Sequence, residues 1–284
     1  MRHSEGTFTS FDGLTIFHQA WRPDADLANG DARAVVLALH GLGEHSGRYE
    51  HFAAALTDAG YAVHALDHRG HGKSEGKRTY VKSYDEFQRD ILQFRRLVEQ
   101  EHPGVALVVF GHSMGGNLAL GHVLDHQEGV RGLALSAPAL AIGSSLSPTK
   151  IKLLMMIAKV APGVRPEALD ANAISRDPAV VAAYRADPLV YSGKITAGVG
   201  AALIGSMQRM PARYAELRLP LLLQHGTADR LADISGTRAL AAGAVNADVT
   251  THYYEGLYHE IYNEPEQAAV IADLTGWLDA LTSR

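Results

Sequence analysis

Residues 111–116 read Gly111-His112-Ser113-Met114-Gly115-Gly116 and follow the apolar run Val105-Ala106-Leu107-Val108-Val109-Phe110. A buried strand feeding a serine into so tight a turn lifts the hydroxyl clear of the sheet, where a carbonyl can reach it. A serine hydroxyl is a poor nucleophile until a histidine takes its proton, and that imidazole needs a carboxylate to fix its tautomer. Both partners stand downstream in the order this turn favours, acid before histidine. Asp229 comes just after the apolar stretch Leu219-Pro220-Leu221-Leu222-Leu223-Gln224, and His259 just after Val249-Thr250-Thr251-His252-Tyr253-Tyr254. Each therefore lies beyond an expected strand end. Asp233 is the nearest rival acid, but it precedes Ile234-Ser235 and reads as a helix-start residue. His252 lies inside a strand, and His225 reads as a packed or hydrogen-bonding residue ahead of the acid loop. The expected catalytic set is Ser113, Asp229 and His259.

Acyl transfer also needs donors for the developing oxyanion. His40-Gly41-Leu42-Gly43 is a glycine-flexed loop after the first core strand, and its Leu42 N–H is the expected first donor. Met114, next to the serine, supplies the second N–H. The 15 histidines invite a metal reading. His64-Ala65-Leu66-Asp67-His68 lacks the first histidine pair of a dinuclear hydrolase, and His259-Glu260 lacks a later histidine because position 263 is Asn. No metal site is expected, and the serine chemistry needs no metal or organic cofactor.

Positioning these groups requires a particular succession of elements. Residues 1–23 alternate around Asp12-Gly13 as a β-hairpin does, and 24–31, with Asn29-Gly30, form a polar connection. Strands are then expected at 34–39, 61–66, 105–110, 132–136, 219–224 and 249–254. Helices are expected at 48–59, at 84–101 behind Ser83, from 114, from 235 and over 265–281. Strand and helix in alternation imply parallel strands joined by right-handed crossovers. Between 141 and 216 the rhythm gives way to helical patterning broken by six prolines, with no clear strand. The expected architecture is an α/β-hydrolase fold: a mostly parallel, doubly wound sheet from 1–140 and 217–284, with a helical cap, or lid, inserted at 141–216.

A chain of 284 residues is long enough for that core and cap. Its net charge of −5 argues against a nucleic-acid partner, which demands a basic face. Without cysteine, disulfides, zinc–thiolate sites and a cysteine nucleophile are all excluded. Met1-Arg2-His3-Ser4-Glu5 does not resemble a secretory signal, and no apolar run reaches the length of a membrane span. A cytoplasmic protein with peripheral membrane contact is the expectation.

The chain resembles the monoacylglycerol lipases, most closely their bacterial, actinobacterial-type members. The resemblance is carried by His40–Tyr49, Asp67-His68-Arg69-Gly70-His71-Gly72-Lys73-Ser74, the serine turn, Ser136-Ala137-Pro138, Ile174-Ser175-Arg176-Asp177-Pro178, His225-Gly226-Thr227-Ala228-Asp229-Arg230 and Tyr258-His259-Glu260. It implies a lipid ester substrate and a serine hydrolase that releases fatty acid and glycerol. It also implies that Glu44, Arg48, His112 and the cap residue Tyr184 hold the polar glycerol end. Without it, Glu44 and Arg48 could equally form a surface ion pair. A lysophospholipase or a broad carboxylesterase would share every catalytic residue, and an acyltransferase differs only in which alcohol resolves the acyl-enzyme. The run from Lys150 to Val160 packs bulky apolar residues between lysines. It reads either as a lid helix with one face toward lipid or as a cap helix burying that face against the core.

Overall fold

The structure is a computed structural model, and it describes residues 1–24, 32–142, 147–168 and 170–283. The expected polar connection with Asn29-Gly30 lies outside the described residues.

The N-terminal alternation becomes an antiparallel hairpin of β1 (Arg2–Thr9) and β2 (Thr15–Arg22), turning at Asp12-Gly13 with Gly13 at φ 89°. The strand–helix rhythm follows as β3 (Val35–Leu39), α1 (Glu50–Asp58), β4 (Ala62–Leu66), α2 (Tyr84–Glu101), β5 (Leu107–His112), α3 (Met114–Asp125) and β6 (Val130–Ser136). After an excursion it resumes as β9 (Leu221–Gly226), α7 (Ile234–Gly243), β10 (Val249–Tyr254) and α8 (Gln267–Thr282). The sheet order is β1-β2-β4-β3-β5-β6-β9-β10, antiparallel in the hairpin and where β2 meets β4, parallel elsewhere.

Alternation along the strands divides the core in two. Leu37, Leu39, Val109, Leu133, Leu221 and Leu223 face one layer, with Phe87, Ile91 and Phe94 of α2, Leu118 of α3 and Leu240 of α7. Val36, Ala38, Val108, Phe110 and Leu222 face the other, with Phe52 and Leu56 of α1 and Leu274 and Leu278 of α8. Strands covered on both faces read as continuous apolar runs, which is why their positions are visible in the sequence.

Several boundaries differ from expectation by one or two residues, β9 among them, which pairs through Gly226 with Tyr254. The β5 strand continues past Phe110, because Gly111 pairs with Leu39 on one side and Leu135 on the other, and His112 pairs with Ser136. The expected helix at 48–59 opens as a 3₁₀ turn, Ser46–Tyr49, whose Gly47 N–H is met by His45 Nδ1.

The excursion between β6 and β9 contains α4 (Pro148–Val160), α5 (Pro178–Ala186) and α6 (Ala197–Arg209). Ser147, Asp177 and Thr196 cap their N-termini, each accepting a backbone N–H. Contrary to the expectation of no strand there, β7 (Glu167–Ala168) pairs antiparallel with β8 (Lys194–Ile195). A two-residue ladder is too short to leave an alternating pattern. Leu154 of α4 lies against Gly200 of α6, whereas Leu153, Met156 and Val160 are 51%, 60% and 84% exposed. Packing and exposure thus occupy different faces of α4. No helix among the described residues is long and apolar enough to cross a membrane.

Candidate active site

Ser113 stands between β5 and α3 with φ 54° and ψ −117°, a backbone that L-residues rarely adopt. Neighbouring backbone makes this conformation affordable only with glycine on both sides. A Cβ at 111 would lie 2.4 Å from the Gly115 carbonyl oxygen, and one at 115 would lie 2.0 Å from that of Leu39. The Met114 N–H belongs to the first turn of α3, so it has no intrahelical acceptor and is available to a ligand.

The loop carrying Leu42 is tied down at several points. His40 donates from Nδ1 to the Gly41 carbonyl at 2.7 Å and accepts the His68 N–H at Nε2, 2.9 Å away. Burial pushes the His40 imidazole down to about 4, so it is neutral in this role. The Gly41 N–H reaches Glu44 Oε1 at 2.6 Å, and the Gly43 carbonyl takes the Tyr191 N–H from the excursion at 2.7 Å. His45 Nε2 lies 2.8 Å from Asp187 Oδ2, a second link between the two segments. Asp67, at the end of β4, accepts the Ser46 N–H at 2.7 Å, the Ser46 hydroxyl at 2.6 Å and the Lys73 N–H at 2.7 Å. A Cβ at Gly72 would fall 2.0 Å from that carboxylate, which explains the glycine in this motif.

Asp229 and His259 leave neighbouring strand ends, β9 and β10, as their order implies. Gly226 permits close approach of the two loops: its Cβ would lie 2.3 Å from the Leu257 carbonyl oxygen. His259 donates from Nδ1 to Asp229 Oδ2 at 2.7 Å, which leaves Nε2 with its lone pair free to take a proton. Burial pushes Asp229 up, but the His259 charge and the hydrogen bonds from His225 and His259 outweigh it and hold the carboxyl well below its usual range. Burial likewise presses His259 down, yet Asp229 raises it above the ordinary imidazole value. The His112 ring is tilted against that of His259 at 4.7 Å, and burial together with the His259 charge pushes it down to about 4.

Ser113 and His259 line one pocket together with Leu42, Glu44, His112 and Tyr184. Arg48 instead lines an adjoining pocket that shares Glu44, His112 and Glu260 with the first. Its guanidinium bonds Glu44 Oε2 once and Glu260 in a fork, all at 2.7 Å, and lies 4.7 Å from the Tyr184 ring centre. So Glu44 and Arg48 do pair, but in a buried triad with exposures of 4%, 11% and, for Glu260, 6%. Tyr49 and Gly41 occupy Glu44 Oε1. Burial pushes Glu260 up, but Arg48 overcomes this and draws it down to about 2.

Sequence reasoning did not assign roles to Glu260, Asp67 or Tyr191, and it read His225 as a packed or hydrogen-bonding residue, which matches its buried bonds to Thr237 and Ala232. For Glu260 and Asp67 the only signal was their place in the matching motifs, and Tyr191 had none. Asp233 is the N-cap of α7, as expected, and His252 lies within β10. Among the described residues, ligand atoms of His64, Glu101 and His102 come within 4.8 Å of one another. The two rings are joined at 2.9 Å by a hydrogen bond, and Arg22 sits on Glu101, placing a cation where an ion would need the carboxylate. The arrangement as a whole suits acyl transfer: a serine in a strained turn and an imidazole oriented by a carboxylate line one pocket, with the first-turn N–H of Met114 next to the serine.

Comparison with known proteins agrees with this reading. The family model described as serine aminopeptidase, S33, matches residues 30–266. A monoacylglycerol lipase of Mycolicibacterium smegmatis is 43% identical over 275 residues, spanning 97% of this chain and 96% of its own. The monoglyceride lipase of Homo sapiens is 33% identical over 96% of this chain and 89% of its own. Among solved structures, the monoacylglycerol lipase of Paleococcus ferrophilus superposes with a TM-score of 0.82 at 29% identity, covering 99% of this chain and all of that one.

Proposed function

Because the chain belongs to the monoacylglycerol lipase family of α/β-hydrolases, we propose that it hydrolyses the single ester of a monoacylglycerol to fatty acid and glycerol through an acyl-enzyme on Ser113. The observation that carries this is the Asp229-oriented His259 and the raised Ser113 hydroxyl opening on one pocket, whose lining includes Glu44 and Glu260, the two carboxylates that Arg48 holds. Ser113 Oγ attacks the ester carbonyl while His259 Nε2 accepts the hydroxyl proton, and Asp229 remains anionic beside the imidazolium. The oxyanion takes the Leu42 and Met114 N–H groups. Collapse breaks the ester C–O bond, and glycerol leaves with the proton from His259. A water that gives its proton to His259 then attacks the acyl carbon, releasing the fatty acid and restoring Ser113.

Glu44, His112 and Tyr184 face the glycerol end, and Arg48 acts there through the two carboxylates it holds. Residues 141–216 serve as the cap. Leu153, Met156 and Val160, flanked by exposed Lys152 and Lys159, form the face we assign to a lipid interface. The test is fatty-acid release from monooleoylglycerol, dioleoylglycerol, trioleoylglycerol and lysophosphatidylcholine, with Ser113→Ala as control. Preference for the monoglyceride, abolished in the variant, is expected. Equal turnover of the lysophospholipid would overturn the glycerol assignment, and activity surviving in Ser113→Ala would overturn the mechanism. With substrate carried in vesicles, Met156→Glu should slow release; an unchanged rate would refute the interface reading.

A further inference from the structure

The Oδ2 atom of Asp229 is shared. His259 Nδ1 lies 2.7 Å from it and His225 Nε2 3.1 Å from it, while Oδ1 takes the N–H groups of Leu231 at 2.7 Å and Ala232 at 3.0 Å. His225 is on β9, next to Gly226, and its side chain is fully buried. Its neighbours dictate its tautomer. Nε2 donates to the Ala232 carbonyl oxygen at 3.2 Å and at the same time lies 3.1 Å from Asp229 Oδ2, so it carries the proton. Nδ1 then has a lone pair and takes the hydroxyl proton of Thr237, 2.7 Å away on α7.

We propose that His225 is a positioning residue for the hydrolytic reaction, its Nε2–H sharing Asp229 Oδ2 with His259 and thereby fixing both the plane of the carboxylate and its pull on the imidazole. The proposal rests on the assignment of Asp229 and His259 as acid and base. A fully buried carboxylate cannot replace a lost donor with water, so its charge falls on the donors that remain. Removing the His225 N–H therefore concentrates Asp229 on His259, stabilises the imidazolium and makes the base hold its proton to higher pH. The orientation of the carboxylate also loosens, which slows proton transfer without touching the acyl or glycerol contacts.

Other charged groups meet the same site. Glu260 and Glu44 act on His259 from the loop after β10 and the Leu42 loop, and Arg48 pairs with both of them. The His112 ring lies against His259, and Asp233 is the charge beside His225. All are unchanged in a His225 variant, so a shifted profile reports on Asp229.

The experiment compares His225→Leu, His225→Gln and Thr237→Val by kcat, KM and the pH profile of kcat/KM on a soluble ester. His225→Leu should lose about tenfold in kcat with KM within about twofold, and its acid limb should move up by about half a pH unit or more. His225→Gln, whose amide N–H can reach Oδ2, should recover the wild-type limb and most of the rate. A residue that merely fills space would lower thermal stability equally in both variants and leave the limb in place; that result overturns the proposal. Should His225→Leu not fold, Thr237→Val must still show a smaller shift in the same direction. Nitrogen NMR of the unmodified protein must also show His225 protonated at Nε2, and the other tautomer would overturn the proposal. Asp229→Asn separates the premises. Wild-type activity there would sink the acid assignment itself, whereas its inactivity beside a wild-type-like His225→Leu would sink only the role of His225.

Discussion

Arg48→Met leaves two buried carboxylates without their counter-ion, and the structure says which of them responds. Glu44 keeps two hydrogen-bond donors, the Gly41 N–H and the Tyr49 hydroxyl. Glu260 keeps only the Asn263 amide, 2.9 Å away, and has little access to water at 6% exposure. An unpaired charge there costs more than protonation, so the folded variant takes up a proton at Glu260. That cost grows by about 1.36 kcal/mol for each pH unit above the free glutamate value of about 4.3. The part of the stability loss that grows with pH is about 3.7 kcal/mol at pH 7 and about 1 kcal/mol at pH 5. With the unfolding entropy of a chain this long, these correspond to Tm shifts of about 6 °C and under about 2 °C.

The sign is informative. In the variant the folded-state pKa of Glu260 lies above its unfolded value, so the folded form binds more protons and stability falls as pH rises. The wild-type protein has the opposite linkage. Its Glu260, drawn down to about 2, contributes stability that is present above about 4.3 and lost as pH falls toward 2. Thermal unfolding of both proteins between pH 5 and 7.5 reads the difference. Arg48→Met/Glu260→Gln should regain at least half of the loss at pH 7. A pH-independent deficit, or a double variant no more stable than the single, would refute the account of a buried triad held by its arginine.

Two further outcomes follow from the geometry of the serine turn and its base. Because Asp229 raises His259 above the ordinary imidazole value, and the base must be unprotonated, kcat/KM should climb with pH along a limb centred above about 6.5; a limb centred below 6 would contradict it. Gly115→Ala would thrust a methyl to 2.0 Å from the Leu39 carbonyl oxygen, pushing the serine turn away from the Leu42 loop. Titration with an active-site-directed phosphonate should then show reactivity down at least about a hundredfold. Reactivity within about threefold of wild type would mean the turn has room that this geometry denies.

The strands and the residues beyond their ends were readable because parallel strands buried on both faces leave unbroken apolar runs. Leu221-Leu222-Leu223 is such a run, and Asp229 follows it closely enough for its position to be inferred without distances. What escaped reading depended on partners remote in the chain. Arg48 looks like half of a helical pair with Glu44, four residues away, and nothing local shows that its fork closes on Glu260, 212 residues on. Likewise His225 is one polar residue at the end of an apolar strand. Its neighbour Asp229 is visible, but the shared oxygen is a matter of side-chain placement. The β7–β8 ladder fails for a different reason, since two residues do not define a period.

The bonds from the Tyr191 N–H to the Gly43 carbonyl and from the His45 ring to the Asp187 carboxylate, with that from the Glu260 N–H to the Ile174 carbonyl at 2.7 Å, bear on how such enzymes diversify. The segment between β6 and β9 looks like an interchangeable module, inserted at one point and free to vary with the substrate. Yet its backbone contacts the loop that carries Leu42 and the loop that carries His259. A graft from a relative therefore imports a new fit to both loops along with a new binding wall, and a mismatch there would surface as a fault in turnover rather than in selectivity. Chimeras that carry residues 43–45 and 260 with the donor segment preserve these couplings; those cut only at the ends of the excursion do not.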